Sequence, residues 1–191
     1  MTAQPGPDGR LRCPWALASA DYLAYHDDEW GRTVRGDAAL FERLSLEGFQ
    51  AGLSWITILR KRPAFREAFR GFDPEAVAGF GDVEIAQLMA NPGIIRNRAK
   101  IQATVNNAKA LLSLPRGESL ADLLELHRPQ PGPAPRTSED IPASTPESHK
   151  LSRELRARGF RFVGPVTAYA MMQATGYVND HLAACALRGD G

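Results

Sequence analysis

Proline and glycine interrupt this chain so often that only short helices fit between them. The chain has 14 prolines and 17 glycines, and the segments between these breaks carry apolar residues at helical spacing. Proline disrupts a helix interior, and glycine commonly follows a helix end. Alternating apolar and polar runs, which are typical of half-buried strands, are essentially absent. The sequence therefore predicts an all-α fold.

Capping residues place the individual helices. Asp37 is expected to cap a helix that begins at Ala38, and the helix over "LSWITILRKR" is expected to stop at Pro63. A long helix is expected from Ile94, directly after the "NPG" break. A last helix is expected to begin at His181.

The termini and the composition predict one domain that is not bound to a membrane. Residues 1–12 are expected to form a flexible tail, and residues 13–187 a single helical domain. Apolar runs stay well short of the ~20 residues that span a bilayer. The N-terminus lacks the apolar stretch of a secretory signal, so we expect a cytoplasmic protein. Nothing in the sequence suggests more than a monomer.

Basic residues are segregated despite a net charge of only +1. They concentrate in "RKRPAFR", "RNRAK" and "KLSRELRARGFR", whereas acids gather in segments such as "HDDEW". Such segregation can create a basic face for a polyanion. For any single cluster, a solvated helix face is the simpler interpretation.

Two cysteines and two histidines could form a metal site. His181 and Cys185 are four residues apart, and Cys13 and His26 could supply the other two ligands. Four protein ligands would close a tetrahedral zinc site, which would make the metal structural. Two buried thiols and two hydrogen-bonded histidines explain the same spacing equally well.

The segment "NPGIIRNRAK" has the pattern of a helix, a tight turn and a second helix with a basic start. A DNA phosphate could bind at the N-terminus of the second helix, beside Arg96, Arg98 and Lys100. The turn contains Gly93, but Ile95 stands where such hairpins usually have a second glycine. An ordinary helical hairpin without a ligand stays open as the alternative.

Aromatic residues and one glutamate form a third candidate site. The segment "ADYLAYHDDEWG" contributes Tyr22 and Tyr25, and "LSLEGFQAGLSWITIL" contributes Glu47 and Trp55. Glu47 lies in an apolar stretch, where a half-buried carboxylate needs a reason. Taken alone, such aromatics more often belong to a core than to a pocket.

Five motifs in their order along the chain resemble the 3-methyladenine DNA glycosylase I family. They are "AYHDDEWG", "LEGFQAGLSWITIL", "GIIRNRAKIQA", "RGFRFVGP" and "VNDH", and the resemblance extends from about Cys13 to Cys185. It implies a helix-hairpin-helix DNA glycosylase fold. It also implies a structural Zn²⁺ site that joins the N- and C-terminal segments, with the ligands Cys13, His26, His181 and Cys185.

The resemblance further implies a base pocket and a DNA interface. The pocket residues fall on Tyr22, Tyr25, Glu47 and Trp55. The loop inserted into the duplex has Gly52 and Leu53 at its tip, and the hairpin contacts fall on Gly93, Arg96, Arg98 and Lys100.

The implied activity is the release of 3-methyladenine from alkylated double-stranded DNA. Aromatic rings and Glu47 would favour the cationic methylated base over neutral adenine. Glu47 is expected mainly to recognise the base, and its action as a general base for water stays open. Because no lysine is placed for a Schiff base, the enzyme is expected to be monofunctional. Its products would be free 3-methyladenine and an abasic site.

Two other functions are weighed against this one. A zinc-stabilised helix-hairpin-helix DNA-binding module would keep the hairpin and the metal but would not need the aromatic pocket. A zinc hydrolase or deaminase would need an open coordination position, which a fourth protein ligand would block.

Overall fold

The computed structural model describes residues 1–189, and the helices within them confirm the predicted all-α fold. The α-helices are α1 (Ala20–Asp28), α2 (Asp37–Gln50), α3 (Trp55–Ala68), α4 (Pro74–Ala78), α5 (Asp82–Ala90), α6 (Arg98–Leu112), α7 (Leu120–Leu126), α8 (Pro146–Ala157) and α9 (Pro165–Ala174). Two short antiparallel strands, β1 (Gln4–Pro5) and β2 (Leu11–Arg12), precede them.

Helix α2 lies at the centre of the fold and packs against α3, α6, α7 and α9. Its buried face carries Phe41 and Phe49, whose rings pack at steep angles against phenylalanines of α3 and of the turn after it. The rings of Phe49 and Phe65 have their centroids 4.7 Å apart. A central helix with this packing gives a rigid mount for any functional side chain that it carries.

Helix α3 continues through Pro63, so the prediction of a stop there is wrong. A proline in a helix interior costs about 3 kcal/mol because it removes one hydrogen bond and crowds the preceding turn. Phe65 and Phe69 follow it and are fully buried against the core. The burial of two aromatic rings outweighs the cost of the proline.

Helix α6 begins at Arg98, four residues later than the sequence predicts. Asn97 has extended backbone angles, and its side chain accepts a hydrogen bond from the amide of Lys100 at 3.2 Å. Asparagine is a favoured N-cap, so this signal was present in the sequence. The turn between α5 and α6 therefore covers residues 91–97, and we call α5, this turn and α6 the hairpin.

Asp37 is the first residue of α2 and does not cap it; Gly36 occupies the cap position. The Asp37 carboxylate instead accepts a hydrogen bond from the amide of Leu120 at 3.0 Å, at the start of α7. The Asp37 side chain therefore accepts from a free backbone amide at the N-terminus of α7, and not at that of its own helix α2.

The predicted helix at His181 is wrong, because residues 181–185 form turns. The amide of Leu182 donates to the Cys13 sulfur at 3.4 Å, and the amide of Ala183 donates to the Pro135 carbonyl at 2.7 Å. These donors are used in contacts with distant segments and cannot serve a helical ladder.

The N-terminal segment folds back on itself as the β1–β2 hairpin, with Gln4 opposite Arg12. The flexibility of residues 1–12 and the domain bounds at residues 13 and 187 stay predictions. Across residues 1–189, none of the helices combines the length and apolarity that a transmembrane span requires.

Candidate active site and metal centre

A cavity of about 380 Å³ opens beside α1, α2 and α3. It brings together the four residues that were predicted to form a pocket, Tyr22, Tyr25, Glu47 and Trp55. Its other walls come from much of the chain: Cys13, Trp15, Trp30, Gln50, Ser138, Ile141, Ala170, Gln173 and Leu182. Five of its thirteen lining residues are aromatic, and its volume is within the range of sites that hold one small molecule.

The aromatic rings of the cavity pack edge to face and hold one another in place. Trp15 lies 5.6 Å from Tyr22 and 5.1 Å from Trp30 between ring centroids, with both pairs close to perpendicular. Tyr25 lies 5.4 Å from Trp55 at an angle of 47°. Such pairs are favoured by the ring quadrupoles, so the cavity wall is preorganised.

Tyr22 is fixed by a hydrogen bond at the start of α3. Its hydroxyl oxygen accepts from the amide of Ile56 at 2.9 Å, one of the helix N-terminal donors that lack a partner within the helix. Trp55 is the first residue of α3, so this bond positions the indole as well as the phenol. Among residues 1–189, the buried Trp55 Nε1 has no hydrogen-bond partner.

Glu47 presents a carboxyl group to the cavity from the central helix α2. It is 6% exposed, and its neighbour Leu46 is completely buried. Burial raises the pKa of Glu47 to about 8, while the positive charge of Arg43 opposes the shift. An ionised carboxylate is therefore costly here in the empty cavity, and a cation beside it would relieve that cost.

Arg43, one helical turn before Glu47, belongs to a charge network behind the cavity. Glu29 accepts hydrogen bonds from Arg43 at 2.7 Å and from both terminal nitrogens of Arg62 at 2.6 Å. Although burial opposes it, these bonds lower the pKa of Glu29 to about 2. Glu29 thus partly neutralises Arg43, which limits the stabilisation that Arg43 gives to an ionised Glu47.

The four predicted metal ligands come together as one buried cluster. The candidate ligand atoms of Cys13, His26, His181 and Cys185 all lie within 4.8 Å of one another. The Cys185 sulfur is 3.6 Å from both His26 Nε2 and His181 Nδ1, and the Cys13 sulfur is 3.9 Å from His181 Nδ1. A tetrahedral ion with bonds of about 2.3 Å to sulfur and about 2.0 Å to nitrogen separates such atoms by about 3.6 Å. The residues therefore fit a metal ion.

The histidines of the cluster are oriented through their other ring nitrogens. His26 Nδ1 lies 2.8 Å from the Asp27 carboxylate, and His181 Nε2 lies 3.3 Å from the Trp30 carbonyl. Asp27 is held in turn by Arg12, whose Nε and Nη2 bond to both of its oxygens. Carboxylate and carbonyl partners of this kind set the tautomer and direction of metal-binding imidazoles.

Asp180 adjoins His181 in the sequence, but its carboxylate is hydrogen-bonded to α9. Its carboxylate accepts hydrogen bonds from the Tyr169 hydroxyl and from Gln173 Nε2, both on α9. Asp27 takes the place beside the metal ligands, and its position next to His26 in the sequence was the signal that we missed.

The predicted duplex-inserting loop follows directly after α2. Gly52 has a φ of 82°, which glycine adopts without strain, and Leu53 is 42% exposed. We call residues 51–54 the wedge loop. An exposed leucine at the tip of a tight loop beside the cavity is suited to enter a space between bases.

The hairpin presents two of its three predicted basic contacts. Arg96 and Arg98 are exposed at the start of α6, whereas Lys100 points into the protein. The Lys100 ammonium donates to the carbonyls of Phe49 and Ala51. Lys100 is therefore not placed for a direct phosphate contact, because its charge is used at the end of α2.

The basic segment "RKRPAFR" is occupied within the protein. Arg60 pairs with Asp21, Arg66 pairs with Glu42, and Arg62 belongs to the Glu29 network. Lys61 donates to two carbonyls of the hairpin turn, at 3.0 and 3.2 Å. Most of this positive charge is therefore paired with acidic groups or carbonyls of the protein itself, and it is neither a free basic face nor the simply solvated helix face of the alternative interpretation.

Sequence reasoning missed several cavity residues. Trp15 was not singled out, although its position two residues after the ligand Cys13 was a usable signal. Ser138 and Ile141 come from the proline-rich segment, where no local pattern marks a pocket residue. Gln173 reaches the cavity from α9, and only tertiary packing places it there.

Known proteins with the same architecture identify the family. The family model described as methyladenine glycosylase matches residues 15–188. A DNA-3-methyladenine glycosylase of Haemophilus influenzae is 45% identical over 178 residues, which cover 91% of this chain and 96% of the relative. DNA-3-methyladenine glycosylase 1 of Escherichia coli K12 is 46% identical over 178 residues, covering 91% and 95%.

The fold is also shared with a protein of known structure. The known structure is a crystal structure of a variant of 3-methyladenine DNA glycosylase I in complex with 3-methyladenine. It superposes with a TM-score of 0.86 at 34% identity and covers 93% of this chain and 97% of its own. This chain therefore belongs to the methyladenine glycosylase family.

Proposed function

We propose that this protein is a monofunctional DNA glycosylase that releases 3-methyladenine from alkylated double-stranded DNA. The observation that carries the proposal is Glu47, a buried carboxyl group that faces a cavity walled by indole and phenol rings. The identity to DNA-3-methyladenine glycosylases over nearly the whole chain supports the same activity.

Charge is the basis of selection in this proposal. Adenine methylated at N3 is cationic while it is attached to the sugar, whereas normal adenine is neutral. A cation gains about 0.5–2 kcal/mol from each aromatic face that it contacts, and Trp55, Tyr22 and Tyr25 supply such faces. The cation also restores the ionised form of Glu47, which the empty cavity disfavours. Neutral adenine obtains neither gain.

The chemical step needs little assistance, because the leaving group is already activated. The bond between the base and the sugar C1′ breaks, and its electron pair neutralises the base. The oxygen of a water molecule then bonds to C1′ and loses a proton, which leaves an abasic site. Glu47 holds the base through its negative charge and by accepting a hydrogen bond from the exocyclic amine. Its use as a base toward the water remains a separate hypothesis.

The enzyme must extract the nucleotide from the duplex before this step. We propose that Gly52 and Leu53 enter the space that the extruded nucleotide leaves in the duplex. The exposed Arg96 and Arg98 and the N-terminus of α6 bind the phosphate backbone beside it, which positions the protein without reading sequence. Gly93 allows the close turn in front of this helix.

We assign Zn²⁺ to the Cys13, His26, His181 and Cys185 cluster, because two thiolates and two imidazoles are typical zinc ligands. When bound, the ion would supply a crosslink between the N- and C-terminal segments and no reactive water, since four protein ligands fill its coordination sphere. Trp15 and Trp30 pack on His26 and also line the cavity. The metal ligands thus support two walls of the base pocket.

The two other functions account for less of this site. A DNA-binding module without catalysis has no use for a carboxyl group buried at the cost that Glu47 incurs. A zinc hydrolase or deaminase needs an open metal position, and the fourth ligand occupies it. We further propose that the protein acts as a monomer, since one chain supplies the whole cavity.

The test is release of 3-methyladenine from methylated duplex DNA, measured by chromatography of the freed base. We expect release by the wild-type chain, and Glu47→Gln should slow it by about tenfold or more, because the cationic base in DNA loses its negative partner. Binding of free 3-methyladenine, which is neutral after release, should weaken by a smaller factor through the altered hydrogen bond to its exocyclic amine. The strand should stay intact in a purified preparation without added base or amine. If Glu47→Gln changed neither quantity, the assignment of Glu47 would be wrong.

A further inference from the structure

Lys100 joins the hairpin to the end of the central helix. It lies in the first turn of α6 and is only 8% exposed. Its Nζ donates to the Phe49 carbonyl at 2.8 Å and to the Ala51 carbonyl at 2.6 Å. The last carbonyls of a helix have no hydrogen-bond donor within it, so Lys100 supplies the donors that the carbonyls at the end of α2 lack.

This placement of an ammonium group is costly and therefore informative. Burial lowers the pKa of Lys100, which shows that the charged form loses solvation. The partial negative charge at the C-terminus of α2 offsets part of that loss. An apolar side chain of similar length would avoid this desolvation but would leave both carbonyls without the hydrogen bonds from the ammonium. What the ammonium adds is a pair of directional bonds to one stretch of backbone.

That stretch of backbone begins the wedge loop. Ala51 immediately precedes Gly52 and Leu53, and Lys100 follows the exposed Arg98 by two residues. The wedge loop itself is held by few bonds, notably the one from the Leu53 amide to the Gln50 carbonyl at 2.6 Å. Lys100 thus links the exposed start of α6, which is suited to bind phosphate, to Ala51 at the start of the loop that carries Leu53.

We propose that Lys100 is a positioning residue that relays the docking of the hairpin on DNA to the wedge loop. The proposal rests on the proposed function, since it assigns Lys100 to the extrusion of the base and not to its recognition. Excision from duplex DNA then depends on Lys100, whereas binding of the free base in the cavity does not.

The test compares Lys100→Met with Lys109→Met, which removes an exposed lysine from the same helix. Lys100→Met should lower the rate of 3-methyladenine release from duplex DNA by about tenfold or more, because misplacement of about 1 Å can cost that much. Its affinity for free 3-methyladenine should stay within about twofold of wild type. Lys109→Met should change neither quantity.

A double-mutant cycle locates the effect in the loop. If Lys100 acts through Leu53, combining Lys100→Met with Leu53→Ala should slow excision less than the product of the two single effects. Combining Lys100→Met with Arg98→Ala should fall short of the product in the same way, because docking at Arg98 acts through Lys100, whereas adding Lys109→Met should leave the effect of Lys100→Met unchanged. Amide hydrogen exchange at Gly52 and Leu53 should also be faster in Lys100→Met, and Lys100→Arg, which keeps the donors, should restore much of the protection.

Three results would overturn the proposal. Equal losses of free-base binding and excision would assign Lys100 a general structural role. A weaker salt dependence of duplex binding, as expected for Arg98→Ala, would make Lys100 a phosphate contact after all. Unchanged amide exchange in the wedge loop would show that Lys100 does not hold this loop in place. The activity of the wild-type chain tests the proposed function separately, and the exchange measurement does not depend on it.

Discussion

At the scale of single residues, Glu47 is a carboxyl group buried at the expense of stability, and in the proposed function this cost provides a site for a cation. Its carboxyl group lies on the central helix among buried apolar side chains. A carboxyl group in such surroundings holds its proton, so the empty protein at neutral pH carries Glu47 largely in the neutral form. A cationic base reverses this preference, and its binding therefore releases a proton to solvent.

Glu47→Gln should stabilise the protein, and the gain should grow with pH. Because burial raises the pKa of Glu47 from 4.5 to about 8, the folded protein binds this proton more tightly than the unfolded chain. The contribution of Glu47 to stability is present below pH 4.5 and is lost as pH rises to about 8. The difference in unfolding free energy between variant and wild type should increase by about 4 kcal/mol from pH 5 to pH 9, in denaturant titrations.

The matched control for this prediction is Glu67→Gln, an exposed glutamate on α3. Its effect on unfolding free energy should be small at both pH values. A constant difference between Glu47→Gln and wild type across the pH range would show that Glu47 ionises normally in the folded protein. The electrostatic argument for cation selection would then lose its basis.

At the scale of elements, the sequence predicts helix content better than helix ends. Asp73 caps α4 and Thr145 caps α8, as local rules expect. Three predicted boundaries fail, for different reasons. Aromatic burial carries α3 past Pro63 and distant acceptors take the amides after His181, which are tertiary effects, whereas the Asn97 cap that starts α6 is a local signal that was overlooked.

Gly93 makes the hairpin turn sensitive to a single methyl group. A Cβ at this position would lie 2.9 Å from Asn91 Oδ1 and 3.0 Å from the Ala64 Cβ, so the turn or α3 must move. Gly93→Ala should lower the unfolding free energy by about 1 kcal/mol and weaken binding to undamaged duplex DNA. Fluorescence anisotropy with a labelled duplex measures the binding.

The control for Gly93→Ala is Gly132→Ala, because a Cβ at Gly132 meets no atom within 4 Å. This substitution should leave duplex affinity and stability nearly unchanged. Binding of free 3-methyladenine should be retained in both variants, since neither glycine lines the cavity. Full duplex affinity in Gly93→Ala would separate the hairpin from DNA binding.

At the scale of the whole molecule, the cavity is assembled from segments that lie far apart in the chain. Motifs in the first third supply the side chains that sequence analysis assigned to it, whereas Ser138, Ile141 and Gln173 come from the other end. Nothing local in the proline-rich segment marks its residues as pocket residues, because their role depends on how the chain ends pack together. The metal cluster joins the same two ends.

Removal of the Zn²⁺ that we assign to this cluster should therefore act through stability. The ligands Cys13 and His26 precede α2, and His181 and Cys185 follow α9, so their loss releases both ends of the chain. Exhaustive chelation should lower the Tm by roughly 10 °C or more, because structural zinc contributes several kcal/mol to folding. Below the new Tm, turnover should persist at first and then decline as the walls formed by Trp15 and Trp30 loosen.

Three measurements on one preparation check this prediction: elemental analysis gives the metal content, scanning calorimetry gives the Tm, and base release gives the turnover. Cys185→Ser should reproduce the lowered Tm, and added Zn²⁺ should restore only the chelated wild type. Immediate loss of turnover at an unchanged Tm would instead place the metal in the reaction.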